Sequence, residues 1–342
     1  MRVFTGFMKG VNLGGWLSQY ALYDERHFDT FITEKDIAYI ASLGFDHVRV
    51  PVDYQVLEDD DGIEKPEGMA RLENCYALLR KYGLNMVIDL HACYGYTFDP
   101  LVKSDKTAFF YNEAQQERFL HLWKRIAMCF GREAEHVAFE PLNEVESDTV
   151  KDEWNALIRK YMQVIRPLAP ETYIITGGVW NNHVETVRWL DEPYDDRVVY
   201  NFHCYEPIVF THQGAYWIDT MPRNFRTSYP KTLDEYREEA ARTLKNGGAV
   251  ETAVHNPGPA FFEEIFSSAL EKAEKYNALL YCGEYGTIDL ADNESKLRWL
   301  KDIHAVFKKF GIGHALWNYK EKDFGLTDER FAGIREAFIR IL

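Results

Sequence analysis

Two hydrophobic rhythms alternate along the 342 residues from one end of the chain to the other. Short runs rich in β-branched and aromatic residues lie at Gly10–Leu13, His47–Val52, Asn85–His91, Val137–Leu142, Tyr173–Gly177, Val198–His203, Leu279–Gly283 and His314–Trp317. Between them, apolar residues recur every three or four positions, the spacing of an amphipathic helix. The clearest such stretches are Glu34–Leu43, Met69–Tyr82, Gln116–Phe130, Asp152–Leu168, Phe261–Tyr276, Ser295–Phe310 and Glu329–Leu342. Gly44, Gly83, Gly131 and Gly311 each close a helical pattern, where a left-handed cap is expected. Asn182–Leu190 is the weakest of the helical stretches.

A strand run followed by a helix or loop, eight times over, predicts parallel pairing through βα units. At this length the count predicts one closed (β/α)8 TIM barrel over residues 1–342, an α/β fold, and not an open doubly wound sheet. No GxGxxG follows the first run, which weakens a dinucleotide-binding reading. One spacing stands out. The sixth and seventh runs are much further apart than their neighbours, and the excess, approximately 207–259, reads as an insertion after strand six. It holds a helical piece, Leu233–Leu244, and the aromatics Phe210, Tyr216, Trp217, Phe225 and Tyr229. Loops that follow strands lie on the catalytic face of such a barrel, so the insertion should overhang that face. Its aromatics have two readings, a small satellite core or, for Trp217 above all, part of a cleft wall.

Composition and charge narrow the function. A net charge of −15 without any Lys/Arg stripe excludes nucleic acid as a partner. No segment approaches 18 consecutive apolar residues, so no membrane span is expected. Cys75, Cys93, Cys129, Cys204 and Cys282 are odd in number, far apart and without a CxxC pair, which argues against a disulfide framework and a structural zinc site. Free thiols suit a reducing compartment, and Met1–Phe7 lacks the apolar stretch of a signal peptide. A cytoplasmic location is the expectation, a secreted form with its signal removed the alternative. Aromatics at 15% fit a large core, and equally a cleft that stacks on the flat faces of sugar rings.

Polar residues at the C-terminal ends of barrel strands are the ones to suspect of chemistry. Here they are Arg49 in HVRVP, His91 in IDLHA, Asn143 and Glu144 in FEPLNE, His203 and Tyr205 in NFHCYEP, Glu284 in YCGEYG and Trp317 in ALWNYK. Glu144 ends strand four and Glu284 strand seven, on opposite sides of the barrel mouth. Two carboxylates facing each other across a cleft are what glycosidic cleavage requires. Each residue also has a plainer reading: a glutamate can cap a helix or pair with an arginine, a histidine can be a satisfied core residue, and a tryptophan can be packing. Trp16, Trp180, Trp217, Asn181 and Lys320 are weaker candidates for substrate subsites. No His-x-His pair occurs, so no catalytic metal is expected, and nothing implies a cofactor.

Taken in order, LNE after strand four, FHCY after strand six, GEYG after strand seven and LWNY after strand eight resemble glycoside hydrolase family 5. GVNLGGW after strand one and VRVPVDY on strand two extend the resemblance over the whole chain, and the insertion is similar to that of a cytosolic-type clostridial endoglucanase and lichenase subgroup. The resemblance implies a retaining β-glycosidase. Glu144 would be the general acid/base, Glu284 the nucleophile and Asn143 the partner of the sugar 2-hydroxyl. Arg49 would keep Glu284 ionised, Tyr205 would orient it, and His203 would lie near Glu144. His91 would complete the polar floor, and Trp317 would form the platform beneath the sugar at the cleavage point. Val145 stands where the family usually has proline after Asn-Glu, and Tyr285 where phenylalanine is frequent. These departures narrow the subgroup without removing a catalytic group. The implied substrate is a soluble β-glucan, cut within the chain at β-1,4 linkages, mixed-linkage β-1,3-1,4-glucan included, by a monomeric enzyme. An exo-acting β-1,3-glucanase and an inactive carbohydrate-binding barrel are the alternatives.

Overall fold

The computed structural model describes residues 1–245 and 252–342. Eight parallel strands close into a barrel in chain order: β1 (Lys9–Asn12), β2 (His47–Asp53), β3 (Asn85–Ala92), β4 (Val137–Glu140), β5 (Tyr173–Gly177), β6 (Val198–Cys204), β7 (Leu279–Tyr285) and β8 (Gly313–Leu316), which pairs back to β1. Because both faces of each strand are covered, the strands read as near-continuous apolar runs, which is why the sequence pattern finds all eight.

The barrel interior is layered. Its lower layer is apolar, built from Val87, Ala138, Ile175, Val199, Leu279, Tyr281 and Ala315, and Phe4 and Phe7 of the N-terminal segment pack against it. Two residues further along the strands, the same alternation puts Asp89, Glu140, Asn201 and Gly283 inside. Together with Asn12 and Arg49 they form a buried polar layer. One step above lie His91, His203 and Glu284, with Glu284 paired in register to His203 because the pairing slips by one residue at Gly283 of β7. The main core fills the space between the strands and the surrounding helices.

Most predicted helices are present: Glu34–Ser42, Pro66–Lys81, Glu113–Phe130, Lys151–Ile165, Pro259–Lys275 and Asn293–Phe310. The stretch Glu329–Leu342 is not one helix but two short pieces, Glu329–Ala332 and Arg335–Ile339. Arg335, which opens the second piece, donates to the carbonyls of Leu326 and Thr327, which ties the chain to the loop after β8. The weak fifth pattern is a 3-10 segment, Val184–Trp189. Gly44, Gly83 and Gly311 have φ of 88°, 74° and 66°, as expected of left-handed caps, but Gly131 has φ −65°. Glycine is needed there for space, since a Cβ would lie 2.6 Å from the carbonyl oxygens of both Ala127 and Leu168.

Of the insertion, residues 246–251 lie outside the described residues. Its helix Leu233–Thr243 opens with a reciprocal cap between Thr232 and Glu235. Phe210, Tyr229 and Tyr236 are buried in the main core, and Tyr229 bonds to Ser295 and Asp302 of the helix Asn293–Phe310. Among the described residues, no helix is long and apolar enough to cross a membrane, and all five cysteines are free.

Candidate active site

Arg49 is the hub of the polar layer. Its side chain is fully buried, and a guanidinium there is tolerable only with partners for its donors. Nε and Nη2 fork onto Glu140 at 2.7 and 3.0 Å. Nη1 donates to Asn12 at 2.9 Å and to Glu284 at 2.8 Å, and Nη2 reaches Asn143 at 2.8 Å and Asp89 at 3.0 Å. Burial works against the charge, but Asp89, Glu140 and Glu284 outweigh it and hold Arg49 well above its ordinary range. Asn201 completes the layer, donating to Glu140 at 2.9 Å and accepting the Gly283 N–H at 2.9 Å.

The two candidate carboxylates have different surroundings. Glu284, 6% exposed, accepts from Arg49 on Oε1 and from the Tyr205 hydroxyl on Oε2 at 2.8 Å. Glu144 meets neutral donors, His203 Nδ1 at 2.7 Å on Oε1 and Asn181 Nδ2 at 3.1 Å on Oε2. Burial pushes Glu144 up to about 7, against the Asn181 bond, which favours its charged form. Burial likewise pushes His203 down to about 4, so it is neutral. Tyr96 clamps the backbone of this segment, donating to the Glu144 carbonyl at 2.7 Å and accepting from Glu146 N–H at 2.9 Å. One ligating atom each of Glu144, His203 and Glu284 lie within 4.8 Å of one another, so the two carboxylates approach at least that closely. A divalent cation could be held by the same three atoms.

Around this pair lie buried polar atoms without a protein partner. They include His91 Nε2, Asp89 Oδ1 and Asn143 Nδ2. The other His91 nitrogen, Nδ1, meets Asp89 at 2.5 Å. Burial pushes Asp89 up to about 7 and His91 downward. Orphaned donors and acceptors in a buried site fit a ligand rich in hydroxyl groups. The His91 ring lies parallel to Trp317 at 5.8 Å, and Trp317, only 6% exposed, covers Gly14, where a Cβ would come within 2.6 Å of its ring.

The structure thus brings together Arg49, His91, Asn143, Glu144, His203, Tyr205, Glu284 and Trp317, and adds Asn181. Trp180 stands beside Asn181, 52% exposed, its ring against His183 at 4.7 Å. Trp217 packs beside His212 and Phe324 at 5.9 and 6.4 Å, in a small cluster with Trp317 and Tyr205. Two candidates fall elsewhere. Trp16 is buried in the main core at 5% exposure and its indole N–H donates to the Phe28 carbonyl at 2.7 Å, so it offers no free face for a sugar. Lys320 is taken up by Asp36 at 3.3 Å and by the Phe31 ring at 4.6 Å. Conversely, reading only the strand ends passes over Asn12, Asp89, Glu140 and Asn201. A carboxylate inside an apolar run, as in MVIDL and VAFEP, was the available signal.

Comparison with known proteins gives the family and the fold. The family model for cellulase (glycosyl hydrolase family 5) matches residues 8–323. Cellodextrinase A of Ruminococcus flavefaciens is 43% identical over 307 residues, covering 90% of this chain and 84% of that one. Endoglucanase C of Acetivibrio thermocellus is 38% identical over 342 residues, covering 99% and 98%. In fold, the solved endoglucanase Cel5A from Thermotoga maritima superposes with a TM-score of 0.76 at 22% identity, over 98% of this chain and 97% of that one. The chain is a glycoside hydrolase. It belongs to the cellulase family, glycosyl hydrolase family 5.

Proposed function

We propose that this protein is a retaining endo-β-glucanase that hydrolyses β-1,4 linkages in soluble β-glucans, mixed-linkage glucan included. The observation that carries the reading is the pairing of Glu144 and Glu284, within 4.8 Å and in opposite surroundings. The spacing fits direct attack by a carboxylate, since an inverting enzyme keeps its carboxyl groups roughly 6.5–9.5 Å apart to admit a water. Relatives named cellodextrinase and endoglucanase support the substrate class.

In this reading Glu284, acceptor of bonds from Arg49 and Tyr205, attacks the anomeric carbon while Glu144 gives its proton to the departing oxygen. The C–O bond breaks and a glycosyl ester forms on Glu284. With Glu284 esterified, the negative charge near Glu144 falls, Glu144 loses its proton more readily and takes one from the incoming water. That water then displaces Glu284 from the anomeric carbon. His91 Nε2 and Asn143 Nδ2, buried and unpaired, are the groups that meet sugar hydroxyls. Asn143 would hold the 2-hydroxyl, a contact that tightens in the transition state. Trp317 flanks the sugar at the cleavage point. Trp180, next to the residue that holds Glu144, serves the leaving-group side. The insertion, through Trp217, walls the cleft beside Tyr205.

Reducing-sugar release from barley β-glucan, carboxymethylcellulose, laminarin and glucomannan tests this. Wild type is expected to act on the first two, and Glu284→Gln to lose roughly a thousandfold or more. Proton NMR of the first product should show the β-anomer. Cleavage of laminarin alone, with glucose released first, would establish the exo-β-1,3 alternative instead.

A further inference from the structure

The loop after β5 has a backbone that its sequence should resist. Trp180, Asn181 and Asn182 have φ of 54°, 55° and 53°, three consecutive left-handed residues without a glycine. Left-handed backbone costs about 1–2 kcal/mol per ordinary residue, and least for asparagine. Such strain persists only where surrounding contacts enforce it. Here they do. The Asn181 N–H donates to the Val145 carbonyl at 2.9 Å, which fastens the turn to the segment that bears Glu144. Gly177 leaves room for Asn182, because a Cβ at 177 would lie 2.2 Å from its Oδ1.

Both oxygens of Glu144 are served from this turn. Asn181 Nδ2 donates directly to Oε2 at 3.1 Å. Asn182, itself buried, directs its Nδ2 to His203 Nε2 at 3.4 Å. That contact leaves the His203 proton on Nδ1, which bonds Oε1 of Glu144 at 2.7 Å. The carboxyl is therefore aimed on one side by Asn181 and on the other by a histidine whose tautomer Asn182 sets.

We propose that Asn181 and Asn182 are positioning residues for the acid/base, and that Asn181 sets the pH at which Glu144 gives up its proton. This goes beyond the assignment of Glu144 and rests on it. Asn181 donates, so its bond is stronger to the anion than to the acid; without it, Glu144 keeps its proton to higher pH.

The test is the pH profile of kcat/KM, which reports the free enzyme. Asn181→Gly removes the donor and keeps the left-handed backbone at no steric cost. It is expected to move the alkaline limb up by roughly one pH unit, the scale of a single charge-assisted bond. Asn181→Asp keeps the shape, replaces the donor with a second carboxylate, and should move the limb further in the same direction. An unmoved limb in both variants overturns the proposal. A merely structural role would lower kcat/KM at every pH and leave the limb in place. Glu144→Ala is the control, assayed on dinitrophenyl β-cellobioside, whose leaving group needs no proton. Retained bond cleavage there, with azide accelerating turnover, upholds Glu144 as the acid/base. If that control fails, the assignment of Glu144 fails with it, and the proposal for Asn181 falls too.

Discussion

At the scale of single residues, Glu144, the proposed acid/base, illustrates how a buried carboxyl works against stability. Burial pushes its carboxyl up to about 7, so above that pH the folded protein holds an anion it disfavours, while the unfolded chain does not. The penalty is absent below the ordinary glutamate range near pH 4, grows as pH rises, and is complete above about 7, where it reaches about 3 kcal/mol at most. Glu144→Gln should therefore raise Tm by roughly 2–4 °C at pH 8, with the gain shrinking by pH 5, where Glu144 is already protonated. Scanning calorimetry at both pH values checks this, and an equal gain at both would show that the cost does not come from ionisation. The strand-end residues of the site were legible because a polar group closing an apolar run stands out. Asp89 and Glu140, enclosed within their runs, escape a reading of the strand ends alone. Trp16 and Lys320 carried the same signal as Trp180 and Trp317, and only the direction of each side chain separates them, which a linear pattern does not contain.

At the scale of elements, the repeat of strand and helix was legible because each strand is buried on both faces and each helix on one. Exceptions arise where tertiary contacts override local preference. The turn at Trp180–Asn182 is one, held by bonds to Val145 and His203 that lie far away in sequence. Gly131 is another: it resembles Gly44 in sequence context, yet the two are glycine for different reasons. Nothing lies within 4 Å of a Cβ at Gly44, so Gly44→Ala carries only the left-handed penalty of about 1 kcal/mol. Gly131 already has helical backbone, which by propensity alone would favour alanine, but two carbonyl oxygens stand where the methyl would go. Gly131→Ala should cost about 2–3 kcal/mol, more than Gly44→Ala. Thermal melts of the two variants side by side decide it, and the reverse order would mean that the packing around Gly131 yields.

At the scale of the whole molecule, buried titrating groups of opposite sense oppose each other. Burial works against the charge of five histidines, pushing His203, His212 and His314 down to about 4, His304 well below its ordinary value and His91 downward. Each takes up a proton on unfolding below about pH 6.5, so each makes stability fall as pH drops from there toward 4. Burial pushes four carboxyls the other way: Asp53 up to about 6, Asp89 and Glu144 up to about 7, and Glu140 upward. Asp53, Asp89 and Glu144 release protons on unfolding in the same window, so each makes stability rise as pH drops through it, and Glu140 acts in the same direction. The two sets partly offset each other, so Tm should fall only gently as pH drops from about 6.5 to 5. Asp89→Asn removes one carboxyl, and its Tm should fall more steeply across that interval than the wild type's. A steep acid decline in the wild type itself would show that the histidines dominate. Neither set was visible as such in the sequence, because burial, which shifts them all, is a property of the closed barrel.

The guanidinium at the centre of the barrel has a practical consequence. Its partners come from β1, β3, β4 and β7 and from the segment after β4, so no one of those strands can move away without stranding a buried charge. The proposed catalytic arrangement and the barrel wall should therefore behave as one cooperative unit, with no loosened intermediate that still turns over slowly. Activity remaining after a heat challenge is a census: it counts the molecules still intact, each working at full rate. Inactivation should follow a single exponential governed by the unfolding rate.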